Sequence, residues 1–258
     1  MEIYGSMKGG IMFKINILKS DLNKENEIME FLIKNKTDNI NIINFIQNYP
    51  IYYIKRIGNS VIVKGISDRN WIYISSKSEE ELKIIKSRLD YKDKNFAIIE
   101  EWMIPILSKE HKIKWKLATM RLILLGGTSK AEPTHSVEEL TINDAEVIYE
   151  NSDYKDFISI KYIIERITNG VSSCIRYRDK LIAWGITQDD GAIGFLHVLP
   201  QYRKRGYAKD VMIDLIKKVR RYNRIPFVHI DEQNEKSMRL AIGLGFKKDR
   251  VVSWFEIE

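Results

Sequence analysis

"LPQYRKRGYAKDV", residues 199–211, stands between an apolar run, "IGFLHV" (193–198), and a stretch of helical periodicity. Three consecutive cations, Arg203, Lys204 and Arg205, and then Gly206 occupy the hand-over from strand to helix. A glycine at such a junction allows a turn with φ above zero. The first N–H groups of the helix that follows have no partner within it. They converge on one small volume and, with the helix dipole, make an anion site suited to a diphosphate. The flanking cations add positive charge for further phosphate groups. Pro200 cannot donate a backbone hydrogen bond, so it belongs where a strand leaves its ladder. If the strand at 192–199 parts there from "PFVHI" (226–230), its N–H and C=O groups are left for an extended, amide-bearing ligand.

The pattern continues on both sides. From Gly206, "GYAKDVMIDLIKKVRRYN" puts Val211, Met212, Leu215, Ile216 and Val219 on one helical face. "NEKSMRLAIGLGF" is a helix with Asn234 as N-cap and Gly245 as its stop, and "VVSWFEI" is a last strand. Upstream, residues 141–170 carry Phe157, Ile160, Ile163, Ile164 and Ile167 at helical spacing and predict two helices ending at Gly170. Residues 171–200 read as a three-strand meander turning at Arg178-Asp179-Lys180 and Asp189-Asp190-Gly191. The order is helix, helix, three strands, helix, strand, helix, strand.

Nearly the same order is legible before residue 126. "DLNKENEIMEFLIKN" and "INIINFIQNY" are helical, "YYIKRI", "SVIVKGI" and "NWIYISS" extended, and "SEEELKIIKSRL" a helix opened by a serine and acids. "NFAIIEE" and "WKLATMRLILL" then flank a helix near 101–112. The expected fold is α/β (α+β), a degenerate structural duplication with domains at 1–130 and 137–258. The Gly-, Thr-, Ser- and Pro-containing "GGTSKAEPTHS" (126–136) is the linker between them. Its paired glycines and Lys130 lack the GxxxxGK[ST] spacing of a phosphate loop.

Composition narrows the partners without choosing one. A net charge of +7 favours an anion: nucleic acid, an acidic membrane surface or a phosphorylated small molecule. The basic stretch 203–224 carries no helix-turn-helix or zinc pattern, so a solvated helix face beside an anion site explains it without nucleic acid. A single cysteine, Cys174, excludes an internal disulfide framework and multi-thiolate metal chemistry, and is expected to pack as a small apolar residue. The four histidines are dispersed and no metal is expected. GxSxG is absent. "MEIYGSMKGGIMFKINILKSD" is unlike a secretory leader, and apolar runs such as "LILL" (122–125) are far short of the roughly 18 residues a membrane span requires. A cytoplasmic chain without a membrane partner is expected.

Arg203 to Ala208 matches the [QR]xxGx[GA] signature of the GNAT superfamily of acyl-CoA-dependent N-acyltransferases. "NEKSMRLAIGLGF" resembles that family's N-x-x-[AS]…GF segment, and "LIAWGITQDDGAIGFLHVLPQYRKRGYA" resembles the glycine N-acyltransferase-like branch. The resemblance spans residues 137–258 and implies a GNAT-type mixed sheet flanked by helices. It implies acyl-CoA, most simply acetyl-CoA, as cosubstrate, with direct transfer to a primary amine. By the same resemblance, the backbone of Leu196, His197 and Val198 pairs with pantetheine, and an N–H near Val198 polarises the thioester carbonyl. The N–H groups of Arg203, Lys204, Arg205, Gly206, Tyr207 and Ala208 hold the diphosphate, and Asn234 contacts CoA, a role compatible with capping.

The catalytic positions depart from the family. A tyrosine five residues before the GF glycine falls near Ala241, and the strand-borne glutamate maps to Ala192. A thiol with pKa near ~8.5 leaves unaided as thiolate, but deprotonating an amine at pH 7 costs about 1.4 to 4.6 kcal/mol. A base is therefore required. Asp190, Glu232 and Ser237 are the candidate catalytic residues, with His197 as a further titrating group on the cofactor strand. A non-catalytic acyl-CoA-binding protein is the alternative. A small-molecule amine is the expected acceptor; its identity, and whether the chain forms a homo-oligomer, are open at this point.

Overall fold

The computed structural model describes residues 19–126 and 131–258. The stretch compared with a secretory leader, and Gly127 and Lys130 of the linker, lie outside the described residues. In chain order the first half forms α1 (Lys19–Lys34), α2 (Ile40–Asn48), β1 (Ile51–Ile57), β2 (Ser60–Ile66), β3 (Asn70–Ser75), α3 (Glu79–Lys86), β4 (Asn95–Glu100), α4 (Ile104–Leu107) and β5 (Ile113–Ile123). The second half forms α5 (Ala145–Glu150), α6 (Ile160–Asn169), β6 (Ser172–Tyr177), β7 (Lys180–Thr187), β8 (Ile193–Val198), α7 (Tyr207–Arg221), β9 (Phe227–Ile230), α8 (Glu235–Gly243) and β10 (Lys247–Ile257).

Packing divides the chain into two units, with boundaries inside β5 (after Arg121) and inside β10 (before Asp249). The expected division at 130 and 137 is thus displaced. The last ten residues, expected with the second domain, pack with the first unit, because Val252, Phe255 and Ile257 are buried in its cores.

In the first unit the strands run β1-β2-β3-β4-β10-β5. β2 and β3 read as unbroken apolar runs because both of their faces are covered. Alternate residues Val61, Val63, Trp71 and Tyr73 join Ile28, Leu32, Ile42, Ile43 and Phe45 of α1 and α2 in one core. Their neighbours Ile62, Ile72 and Ile74 join Leu82 and Ile85 of α3 and Met103, Ile104 and Leu107 in the other. Ser78 caps α3 by accepting from the Glu81 N–H, and three acids, Glu79, Glu80 and Glu81, occupy its positive end.

In the second unit the strand order is β9-β8-β7-β6. β6 and β7 form a hairpin in which Tyr177 faces Lys180, with Arg178 and Asp179 both at positive φ, the geometry of a two-residue turn matched to strand twist. Helices α5 and α6 are the expected pair, but Phe157 is not helical. It lies, exposed, in the turns that precede Ser159, whose hydroxyl caps α6. All five apolar residues assigned to one face of α7 are buried. Gly185 of β7 lets that helix close on the sheet: a Cβ there would stand 2.7 Å from Leu215 Cδ1 and 3.3 Å from Val211 Cγ1.

Candidate functional site

β8 is the strand on which the site is built. Across β7 it pairs Val198 with Ala183 and His197 with Trp184, then slips: Phe195 and Leu196 together face Gly185 before pairing resumes at Gly194. This is a β-bulge, and Phe195 takes its strain with φ of 50°. On the opposite edge β8 pairs in parallel with β9 only at Ile193↔Val228. The remaining residues of β8, Gly194 to Val198, run past that point without a ladder partner on β9.

The hydrogen-bond phase decides what this edge offers. Leu199 N–H donates to the Ile182 carbonyl across the β7 side. Bonding direction alternates along an antiparallel strand, so Val198 turns its N–H and C=O toward β9, as does Leu196 two residues earlier. The Val198 carbonyl accepts from Arg203 Nε at 3.0 Å; its N–H points into the gap between β8 and β9. The sequence-based expectation that β8 parts from the "PFVHI" strand is met, but the departure begins after Ile193, well before Pro200.

At the end of β8 the loop turns through Pro200–Tyr202 and enters α7 by way of two left-handed residues, Lys204 at φ 64° and Gly206 at φ 87°. Gly206 is the N-cap of α7, and among the described residues His135 Cε1, at 3.9 Å, comes near the place of its missing Cβ. The loop is exposed from Arg203 to Gly206, with Tyr207 and Ala208 half-buried. Its three cations divide: Arg203 folds back onto β8, Arg205 lies over the Tyr202 ring, and Lys204 is exposed.

Asp210, in the first turn of α7 and only 3% exposed, gathers the segment that the sequence marks as linker. Its Oδ2 accepts from the Thr134 N–H (3.1 Å), Thr134 Oγ1 (2.8 Å), the His135 N–H (3.0 Å) and His135 Nδ1 (2.6 Å). Burial works to raise the Asp210 pKa, but these hydrogen bonds outweigh it and hold the carboxyl below its usual range. The His135 ring packs on Tyr207, 4.4 Å between centroids, beside the glycine turn.

The candidate catalytic residues are dispersed. Asp190, expected to serve as a base, is buried at 1% exposure and bonded to the Ala192 N–H and to His229 Nε2 at 3.0 Å. Ser237 is half-buried, and its N–H is the donor that Asn234 Oδ1 caps at 3.1 Å, so Asn234 performs its expected capping role. Glu232 is exposed beyond the end of β9. His197 stacks on Trp184 at 4.8 Å; burial first, and Arg203 second, lower its pKa, which favours the neutral ring. Burial pushes the Cys174 thiol up to about 12, an inert core group.

Comparison with known proteins identifies the fold. The family model described as FR47-like protein matches residues 173–255. A Drosophila protein solved in a structural genomics programme superposes with a TM-score of 0.74 at 14% identity, covering 94% of this chain and 97% of its own. A GCN5-related N-acetyltransferase from Kribbella flavida gives a TM-score of 0.54 at 10% identity, over 86% of this chain and 94% of that one. A GNAT-family protein from Novosphingobium aromaticivorans gives 0.51 at 12% identity, over 72% and 82%.

The chain has the GNAT acetyltransferase fold. Its mixed sheet flanked by helices is the architecture of these neighbours. No curated protein sequence matches the chain. Within this fold, the bulged strand and the glycine turn follow one another in the second unit. The corresponding parts of the first unit differ. β3 extends only Ile74 and Ser75 past its last pair with β4, Tyr73↔Ala97, and the helix that follows opens on three glutamates rather than a glycine. An anion placed at that helix end would meet three carboxylates. No helix among the described residues is long and apolar enough to cross a membrane.

Proposed function

We propose that the protein is an acyl-CoA-dependent N-acyltransferase, transferring an acyl group, in the first instance acetyl, to a primary amine of a small molecule in the cytoplasm. The observation that carries this reading is the half-buried stretch of β8 from the bulge at Phe195 to Val198, which has no ladder partner on β9 and is followed by the left-handed turn at Gly206. Such a stretch offers backbone groups to a pantetheine arm, and the turn offers helix N–H groups to a diphosphate. The likeness of residues 181–208 to the glycine N-acyltransferase-like branch favours that branch within the superfamily.

Acyl-CoA supplies an activated thioester, and the chain's own groups do the rest. The Val198 N–H, directed into the gap, donates to the thioester oxygen as charge develops there. Leu196 aligns the arm by the same backbone phase. The N–H groups after Gly206 fix the phosphate end, so that the reacting carbon is held at a set depth. The incoming amine must lose a proton as the C–N bond forms, while the C–S bond breaks and the thiolate departs. With Asp190 committed to His229 and Ala192, Glu232 and the neutral His197 are the groups able to accept that proton. A non-catalytic acyl-CoA-binding role is favoured by one observation, the buried alanines 192 and 241 at the family's two proton-transfer positions.

The test is calorimetric titration of wild type and Gly206→Glu with acetyl-CoA, followed by thiol release over a panel of amines. The new side chain puts strain, at φ 87°, and negative charge into the turn. Micromolar binding that Gly206→Glu abolishes, with amine-dependent thiol release, supports the enzyme. Binding without turnover across the panel turns the reading to the binding protein. A folded wild type that binds no acetyl-CoA overturns both.

A further inference from the structure

Phe195 holds a backbone conformation that its side chain disfavours. Its φ of 50° lies in the left-handed region, which a glycine takes without cost and a bulky residue rarely enters. Such outliers persist where the surrounding structure enforces them, and they gather at ligand clamps and active sites. Here the enforcing feature is the bulge, which re-aims a side chain out of the strand's alternation. It sets the Phe195 ring beside Tyr162 of α6, 6.2 Å between centroids. Tyr162 is itself fixed at both ends: its N–H donates to the capping hydroxyl of Ser159 at 3.1 Å, and its own hydroxyl accepts from the Asp189 N–H at 3.3 Å. Both rings are half-buried. They stand where the gap between β8 and β9 closes. Two residues before Phe195, Ile193 pairs with Val228 of β9, and at Gly194 a Cβ would stand 3.0 Å from Gln188 Cγ.

We infer that Phe195, backed by Tyr162, is the end wall of the acyl pocket and restricts the donor to short acyl groups, acetyl and propionyl. The inference rests on the acyl-CoA reading above and adds the acyl-chain class to it. With phosphate held at the Gly206 turn and the thioester beside Leu196 to Val198, the acyl group continues along β8 away from the turn, toward Phe195. From Val198 to Phe195 is at most about 10 Å of strand, and the aromatic ring takes up part of that length. An acetyl group clears the ring. An extended octanoyl chain overruns it, and the closed ladder at Ile193 leaves no way past in the plane of the sheet. A glycine at position 195 would remove the backbone strain and, with it, the wall.

Calorimetry with CoA, acetyl-CoA and octanoyl-CoA needs no acceptor and reads the wall as a ratio of dissociation constants. In the wild type octanoyl-CoA is expected to bind about tenfold or more weakly than acetyl-CoA, the discrimination that surplus methylenes meeting a filled pocket produce. Phe195→Gly, which removes the ring and relieves the backbone together, is expected to bring that ratio to one or below. Tyr162→Ala, which leaves β8 untouched, is expected to narrow it in the same direction while CoA itself binds as in the wild type. A wild type that binds the two thioesters equally, or a folded Phe195→Gly that keeps the wild-type ratio, overturns the wall and leaves the acyl-CoA reading standing. A wild type that binds none of the three ligands overturns the acyl-CoA reading, and the wall with it.

Discussion

Replacing Asp210 by alanine tests the fastening of residues 134–135 directly. The carboxylate is almost fully buried and accepts from two backbone N–H groups, one hydroxyl and one imidazole. Thr134 is exposed and His135 half-buried, so the donors regain water when the acceptor is lost. Each bond is then worth the modest net value of roughly 0.5–1.5 kcal/mol rather than the cost of a stranded group. Removing the carboxylate also relieves its own desolvation, and the net loss is expected to be about 2–3 kcal/mol. For a chain of this size that corresponds to a fall in Tm of about 4–12 °C. The pH dependence has a definite sign. The folded pKa of Asp210 lies below its ordinary value, so its contribution is complete above the ordinary aspartate range and is lost as pH falls through the folded value. Thermal melts of wild type and Asp210→Ala at pH 7 and at a series of values below 4, with hydrogen exchange of the peptide spanning 131–136, read both effects. Equal Tm values at pH 7, unchanged exchange protection, or a wild-type advantage that grows in acid would refute the reasoning.

Two further outcomes are expected. Arg121, 1% exposed in the first unit, donates to Asp249, Asn41 and the Asp38 carbonyl; Arg121→Ala leaves that carboxylate partnered only by Arg250 and is expected to cost about 3–5 kcal/mol in urea unfolding, a loss under 1 kcal/mol contradicting the network's importance. Cys174 is buried with its thiol pushed up to about 12, so the native protein is expected to resist iodoacetamide at pH 8 and to react once unfolded; rapid labelling of the native state would show that the strand it belongs to opens.

The element order was legible because its signals are local. Periodicity separated the helices from the strands, Ser78 and Asn234 announced helix starts through their side chains, and Gly206 announced the turn through its freedom of φ. The left-handed turn at Gly206 needs only consecutive residues, so it too could be read. Phe157 misled because an apolar residue at helical spacing does not prevent the chain from turning before the serine cap at 159. The burial of Asp190 against His229 could not be read, because its position beside a glycine turn says nothing of a residue 39 positions away.

The sequence by itself determined the elements, their repeated order, and the strand-turn-helix at Gly206, since propensity, capping and backbone freedom act over a few residues. Tertiary structure alone decided the rest. The bulge at Phe195 exists because Gly185 on the neighbouring strand is faced by two residues, and the departure of β8 from β9 depends on pairing between strands far apart in the chain. The assignment of β10 to the first unit, the enclosure of Asp190 by His229, and the capture of Thr134 and His135 by Asp210 are likewise contacts between distant residues. Such contacts form by closing long loops, and their free energy comes from burial and hydrogen bonding that no local pattern records.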